Sequence, residues 1–120
     1  MNKQYNKSIL QSVLLNNTIF NEITNSSLSK IEYIYLSSNP NLNDKQIECL
    51  FLQKIDNVNI NLLRNDNCSQ KRINEFLQLN DKIYNIAIAH NKSLSKETIQ
   101  KLIDINDPDI TMSLKFNNLL

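Results

Sequence analysis

The sequence predicts an all-α fold, a right-handed α-solenoid (an α-α superhelix) of about four two-helix repeats with no sheet. Three observations lead to this prediction. Apolar residues recur in register every 26 residues. Within each repeat they are spaced three and four apart, as on one face of a helix. Residues that cap helix N-termini precede the apolar groups. A fixed period of this length is the sequence signature of a repeat architecture.

The register runs through residues 34–120 without an insertion. One column is polar and constant, and it consists of Asn39, Asn65, Asn91 and Asn117. The clearest apolar columns are Leu36, Leu62, Ile88 and Leu114; Ile34, Ile60, Ile86 and Met112; Val58, Tyr84 and Ile110; and Ile47, Ile73 and Ile99. Because one repeat cannot bury its apolar face alone, we expect neighbouring repeats to stack.

Each repeat is predicted to contain two short helices. The first helices follow side chains that accept hydrogen bonds from free amide groups, at Asn43, Ser69 and Ser95. The second helices start near Asp56, Asp81 and Asp107. After Asp107, Pro108 takes the first helical position, where its missing N–H costs nothing. We expect the second helices to end at the asparagine column.

A chain of 120 residues is typical of one domain, so residues 1–120 are predicted to form a single solenoid. Its repeats are 36–61, 62–87 and 88–113, and 114–120 begin a truncated repeat. Residues 1–35 are expected to form an irregular N-terminal cap. This cap is predicted to contain a helix from about Asn2 to Leu15 and then a short turn or helix around Ile19, Phe20 and Ile23. A helix over Ser29–Ser38 then brings the chain into register.

The chain has 21 asparagines and no glycine. After glycine, asparagine is the residue that best tolerates a positive φ. We therefore expect Asn39, Asn65 and Asn91 to end their helices in the left-handed conformation, where many helices carry glycine.

The composition argues against several classes of partner. Thirteen basic and twelve acidic side chains give a net charge of +1, without the basic stripe that nucleic-acid binding requires. The first ten residues are too polar for a signal peptide and too short for a membrane span, so we expect a cytoplasmic protein that contacts no membrane. Cys49 and Cys68 have no His or Cys close by, and we expect both to be reduced core residues.

No group of residues in the sequence points to catalysis, a cofactor or a metal. His90 is the only histidine, and no spacing places an orienting group beside it, so we interpret it as a surface or cap residue. Asp107 and Asp109 flank a helix start, a position typical of capping and dipole compensation. We predict that the protein is not an enzyme and holds no cofactor or metal.

The segment Leu36-Ser-Ser-Asn-Pro-Asn-Leu42, followed by Asp44, Lys45, Gln46 and Ile47, resembles leucine-rich-repeat-variant repeats. Those repeats are bacterial relatives of HEAT-type α-solenoids, and residues 104–110 are similar to their acidic turn. The resemblance covers roughly residues 34–120 and implies an α-solenoid whose motif is structural and carries no catalytic residues. The Asn-Pro pair occurs once here, and the period is slightly longer than that of the family.

Solenoids bind partners with exposed columns of their helices, and the columns that vary between repeats are the candidates. The predicted partner-binding residues are Tyr33, Tyr35, Asn57, Asn61, Arg64, Lys82, Asn85, His90 and Lys115, and Asp109 and Ser113 belong to the same varied columns. These mixed polar side chains favour a protein partner over a polyanion. Tyr33 or Tyr35 is a candidate aromatic anchor, with burial against the N-terminal helix as the alternative.

These observations favour a protein-binding module, specifically an immunity protein that neutralises a bacterial toxin encoded by a neighbouring gene, in contact-dependent inhibition or a similar system. The basis is analogy in size and composition. One alternative is a nucleic-acid-binding solenoid that reads one base per repeat, with Arg64, His90 and Phe116 in one column. The other alternative is a structural adaptor or scaffold.

Overall fold

A computed structural model describes residues 5–120, and all regular structure within them is helical. In this part of the chain there are nine short helices and no strand, so the predicted all-α class is confirmed there. The helices are α1 (Lys7–Ser12), α2 (Asn17–Thr24), α3 (Lys30–Ser37), α4 (Asp44–Phe51), α5 (Asp56–Leu63), α6 (Gln70–Gln78), α7 (Lys82–Ala89), α8 (Lys96–Asp104) and α9 (Pro108–Phe116).

The contacts divide the chain into two compact units, one ending at Leu62 and the other running from Leu63 to Leu120. In the first unit α1 packs against α3, and α3 packs against α4. Its core includes Leu10, Phe20, Leu36, Ile47 and Leu50. The contact between α1 and α3 joins helices two apart in sequence, as in a small α-solenoid.

The described part of the N-terminal third contains α1, α2 and α3. The first helix is shorter than predicted and covers only Lys7–Ser12, because Asn6 caps its start and Val13 takes an extended conformation at its end. Residues 2–4 of the predicted helix lie outside the described residues. The turn or helix predicted around Phe20 is the helix α2, and the helix predicted over Ser29–Ser38 is α3, which begins with a capping box between Ser29 and Glu32.

In the second unit α7 is the central helix, since it packs against α6, α8 and α9. The last helix, α9, packs against α7 and α8. The fully or almost fully buried side chains at these contacts include Ile73, Ile88, Leu102, Ile110 and Leu114. The pairing of α7 with α9 repeats the pattern of helices two apart that α1 and α3 show in the first unit.

Most of the predicted helix starts are confirmed. The side chains of Asn43, Ser69 and Ser95 cap α4, α6 and α8 by accepting a hydrogen bond from the third helical N–H. Asp81 and Asp107 cap α7 and α9, and Pro108 is the first residue of α9. Asp56 is different, because it is the first helical residue of α5.

The prediction that the asparagine column takes the left-handed conformation is wrong. The residues with positive φ are Ser27, Lys54, Asn80, Asn106 and Asn118. Three of these, Lys54, Asn80 and Asn106, are themselves 26 residues apart and follow α4, α6 and α8. A left-handed residue therefore belongs to the turn after each of these first helices. Among the second helices, only α9 is followed by such a residue, Asn118, whereas α3, α5 and α7 end in another way.

The asparagine column caps neighbouring helices through its side chains. Asn91 is fully buried, and its amide nitrogen lies 2.9 Å from the carbonyl oxygens of both Leu63 and Asn65. Its amide oxygen accepts from the Ser93 N–H at 2.8 Å. Asn39 repeats this in the first unit, donating to Leu10 and Val13. The last carbonyls of a helix have no partner within it, so these amides satisfy groups that a glycine would leave unpaired.

The cysteine prediction holds for one residue only. Cys68 is buried, whereas Cys49 is exposed on α4, and both are free thiols. No helix within residues 5–120 has the length and apolar character needed to cross a membrane.

Candidate partner-binding face

The second unit exposes two parallel rows of side chains on α7 and α9. Ile83, Ile86 and His90 form the row on α7, and Asp109, Met112 and Phe116 form the row on α9. Spacings of three and four place each row on one side of its helix. The two rows occupy the same positions of successive repeats. We call these six residues the α7–α9 face.

Three of the four apolar members of this face are strongly exposed, and Ile86 is half-buried. The exposed fractions are 63% for Ile83, 69% for Met112 and 79% for Phe116. The opposite sides of the same helices are committed to the core, since Ile88 of α7 and Leu114 of α9 are completely buried. Clustered exposed apolar side chains often mark sites of protein–protein contact.

His90 and Phe116 join the two rows at one end of the face. Their rings meet edge to face with centroids 6.5 Å apart. The amide nitrogen of Asn117 lies 2.8 Å from His90 Nδ1, so a donating amide selects the neutral imidazole with its proton on Nε2. Partial burial, and secondly the charge of Arg64, lowers the pKa of His90 from its ordinary value. The imidazole of His90 is therefore a neutral hydrogen-bond acceptor, and its bond with Asn117 connects the end of α9 to the end of α7.

The other end of the face is closed by an ion-pair network. Lys82 Nζ lies 2.8 Å from a carboxylate oxygen of Asp109 and 3.4 Å from one of Asp107. These two carboxylates raise the pKa of Lys82, with the hydrogen bond to Asp109 as the main cause. One lysine against two aspartates leaves this end of the face with one net negative charge.

Two cations beside the face have no such partner. Among the described residues neither Arg64 nor Lys115 forms an ion pair, and both are exposed. Arg64 lies close enough to His90 to influence its pKa. Lys115 lines a shallow cavity of about 320 Å³ on α9 together with Asn106, Pro108, Thr111 and Met112. The apolar side chains are thus flanked by positive charge.

In the first unit the predicted site residues are partly occupied by internal contacts. Asn61 donates from its amide to the Ile34 carbonyl at 3.1 Å and to the Ser37 hydroxyl at 3.0 Å. Tyr33 and Tyr35 are half-buried, and Lys7 Nζ lies 5.6 Å from the centre of the Tyr35 ring. Asn57 is exposed. Partial burial of the tyrosines was one of the two expectations for them.

In the second unit Arg64 and His90 occupy equivalent positions of neighbouring repeats, next to the hydrogen bonds from Asn91 to Leu63 and Asn65. Lys82 belongs to the ion-pair network. Asn85 was expected on an exposed column, and this is wrong, because it is only 2% exposed. The polarity of a repeat column does not show which side of a helix the next helix covers. At this position the side chain of Asn85 is buried. Its Oδ1 atom is buried without a hydrogen-bond partner.

Sequence reasoning did not place Ile83 or Met112 at the site. It assigned Met112 to a core column with Ile34, Ile60 and Ile86, and it gave Phe116 only to the nucleic-acid alternative. One sequence feature could have identified Ile83: it is a large apolar residue in a repeat column whose other members, Asn57 and Asp109, are polar.

Comparison with known proteins gives no match: no family model fits the chain, and no curated protein or solved structure is significantly similar to it. The findings support an all-α protein of short helices in a repeat-like arrangement within each unit.

Proposed function

We propose that this protein is a protein-binding module, and specifically a cytoplasmic immunity protein that binds and neutralises a cognate bacterial toxin. The observation that carries the proposal is the α7–α9 face, where Ile83, Met112 and Phe116 are exposed on helices whose opposite sides are fully buried. Rigid helices present such side chains with little ordering cost on binding. In this proposal the 26-residue repeats form a right-handed α-solenoid of the HEAT-like, leucine-rich-repeat-variant type.

Two further features support a binding role. The polar groups that meet on the face are engaged in structural contacts, since His90 accepts from Asn117 and Lys82 pairs with Asp107 and Asp109. Apolar residues rimmed by charged side chains are typical of protein interfaces.

The proposal is tested by co-expression with the toxin domain encoded beside the gene of this protein. We expect cell survival and a one-to-one complex in pull-down. Replacement of Phe116 and Met112 by serine should abolish protection while the folded protein accumulates, since both side chains are exposed. Replacement of the exposed Leu52 by serine is the matched control. Cell death in the presence of abundant folded wild-type protein, with no toxin recovered, would refute the proposal.

A further inference from the structure

The charge around the α7–α9 face is uneven, and this gives information about its partner. Asp109 is the face's own carboxylate, and it is already paired with Lys82 at 2.8 Å. At the opposite end Arg64 and Lys115 are exposed and form no ion pair within the described residues. Some cations of this unit have carboxylate partners, as Arg72 has Glu75 and Lys101 has Glu97, whereas Lys71, Lys92 and Lys96 are also exposed and form no ion pair within the described residues. What distinguishes Arg64 and Lys115 is their position beside the exposed apolar side chains. The positive charge beside Phe116 is therefore uncompensated.

The apolar and the charged groups are adjacent. Arg64 lies between Leu63 and Asn65, whose carbonyls both accept from the side chain of Asn91, the residue after His90. The ring of His90 contacts that of Phe116. Lys115 lines the same shallow cavity as Met112. A bound side chain that covers Met112 and Phe116 would therefore lie within reach of both cations. Removing water from this surface strengthens any charge pair formed at its edge.

We propose that the α7–α9 face binds an acidic protein segment, which packs an apolar side chain against Met112 and Phe116 and directs carboxylates to Arg64 and Lys115. This inference rests on the proposed protein-binding function and specifies the chemistry of the partner. Carboxylates on the partner would complement the charges of Arg64 and Lys115. An apolar side chain of the partner would be buried against the exposed apolar rows and act as its anchor. Single-stranded nucleic acid would also bring negative charge, but it would leave Ile83 and Met112 facing a hydrophilic backbone.

The test uses a random peptide library displayed on phage and selected on the intact protein. We expect enriched peptides that combine a large apolar residue with Asp or Glu. A synthetic enriched peptide should lose affinity by about tenfold or more when Phe116 is replaced by alanine, and again when Arg64 and Lys115 are both replaced by glutamate. Changing the peptide carboxylates to lysines should restore binding to the double glutamate variant. Fluorescence polarisation measures each affinity.

Matched controls separate the face from general effects of composition. Leu79→Ala removes another exposed apolar side chain, and the pair Lys71→Glu and Lys96→Glu makes the same charge change on other helices. These variants should bind the peptide like the wild type. Circular dichroism and urea unfolding confirm that each variant is folded.

Several outcomes would overturn the inference. The inference is wrong if no peptide is enriched or if the enriched peptides lack acidic residues. It is also wrong if binding survives both the Phe116 substitution and the double glutamate substitution. Tight binding of a labelled oligothymidine that depends on Phe116 would replace a protein partner with nucleic acid. If the toxin is neutralised equally well by the variant with Arg64→Glu, Lys115→Glu and Phe116→Ala, the proposed function stands and this assignment of its site fails. If acidic peptides bind as expected but no toxin is neutralised, this assignment of the site stands and the proposed immunity function fails.

Discussion

At the scale of single residues, the side-chain amide of Asn91 makes three hydrogen bonds, two of them to the preceding repeat. It donates to two carbonyls near the end of α5 and accepts from the turn that follows it. The carbonyls at a helix end lack partners within the helix, and burial removes water as an alternative. An asparagine supplies two donors and an acceptor from one short side chain, which explains a constant asparagine column in a chain without glycine.

The same substitution at two asparagines tests this role. Asn91→Gly should lower the free energy of unfolding by about 3 kcal/mol, because it removes three hydrogen bonds and takes from the buried Leu63 carbonyl the donor that Asn91 supplies. Asn106→Gly should be close to neutral, because Asn106 is exposed and has a φ of 58° that glycine adopts freely. Urea unfolding measures both. Equal costs at the two positions would contradict the division between amide capping and left-handed turns.

Protonation of His90 should weaken the folded state. Its pKa is lowered from an ordinary value of 6.5, first by burial and then by Arg64. Between pH 6.5 and the lower pKa of the folded state, His90 is largely protonated in the unfolded chain and largely neutral in the folded chain. The free energy of unfolding therefore decreases as the pH falls through this window. Above that window the contribution is constant. A protonated Nδ1 also cannot accept from Asn117.

The measurement compares wild type with His90→Gln by urea unfolding at about pH 7.5 and about pH 5. Wild type should lose more stability than the variant, because His90 is the only histidine. Carboxylates contribute equally to both proteins, so the difference isolates the imidazole. A smaller loss in wild type than in the variant would contradict the lowered pKa.

At the scale of elements, α9 shows how one helix is divided between core and surface. Leu114 is completely buried, and Met112 on the opposite side is 69% exposed. Leu114→Ala should destabilise the protein by about 2–5 kcal/mol, because it removes buried methyl groups and leaves a cavity. Met112→Ala should change stability by less than about 0.5 kcal/mol. Thermal unfolding of the two variants measures the contrast, and a large cost for Met112 would show that this side of α9 is covered in solution.

At the scale of the whole molecule, stability in each unit depends on contacts between helices near in sequence. In the second unit α7 packs on three helices, α6, α8 and α9, whereas α9 packs on two, α7 and α8. We therefore expect the backbone amides of α9 to exchange with deuterium faster than those of α7. Comparing Leu114 with Ile88 is the sharpest test, since both side chains are fully buried at equivalent repeat positions. Identical protection would show that α7 and α9 open as one cooperative unit.

Sequence patterns alone were enough to predict the all-α class, two helices in each repeat and most helix starts. These features depend on local chemistry: the period of apolar residues such as Ile47, Ile73 and Ile99 fixes the buried side of the helix, and Ser69, Ser95 and Asp107 satisfy free amides a few residues away. Even α2 and α3 followed from local signals, because Asn16 and Ser29 cap them.

The ends of α3, α5 and α7 and the exposure of individual side chains depend on packing between helices, which the sequence pattern does not specify. The Asn91 amide bonds to residues 26 and 28 positions earlier in the chain, so no local preference for positive φ could reveal its role. The same reason separates Asn85, which is buried, from Met112, which is exposed although its column is otherwise apolar. Whether a helix side is covered depends on the neighbour that packs against it, and a residue's own type does not specify that neighbour.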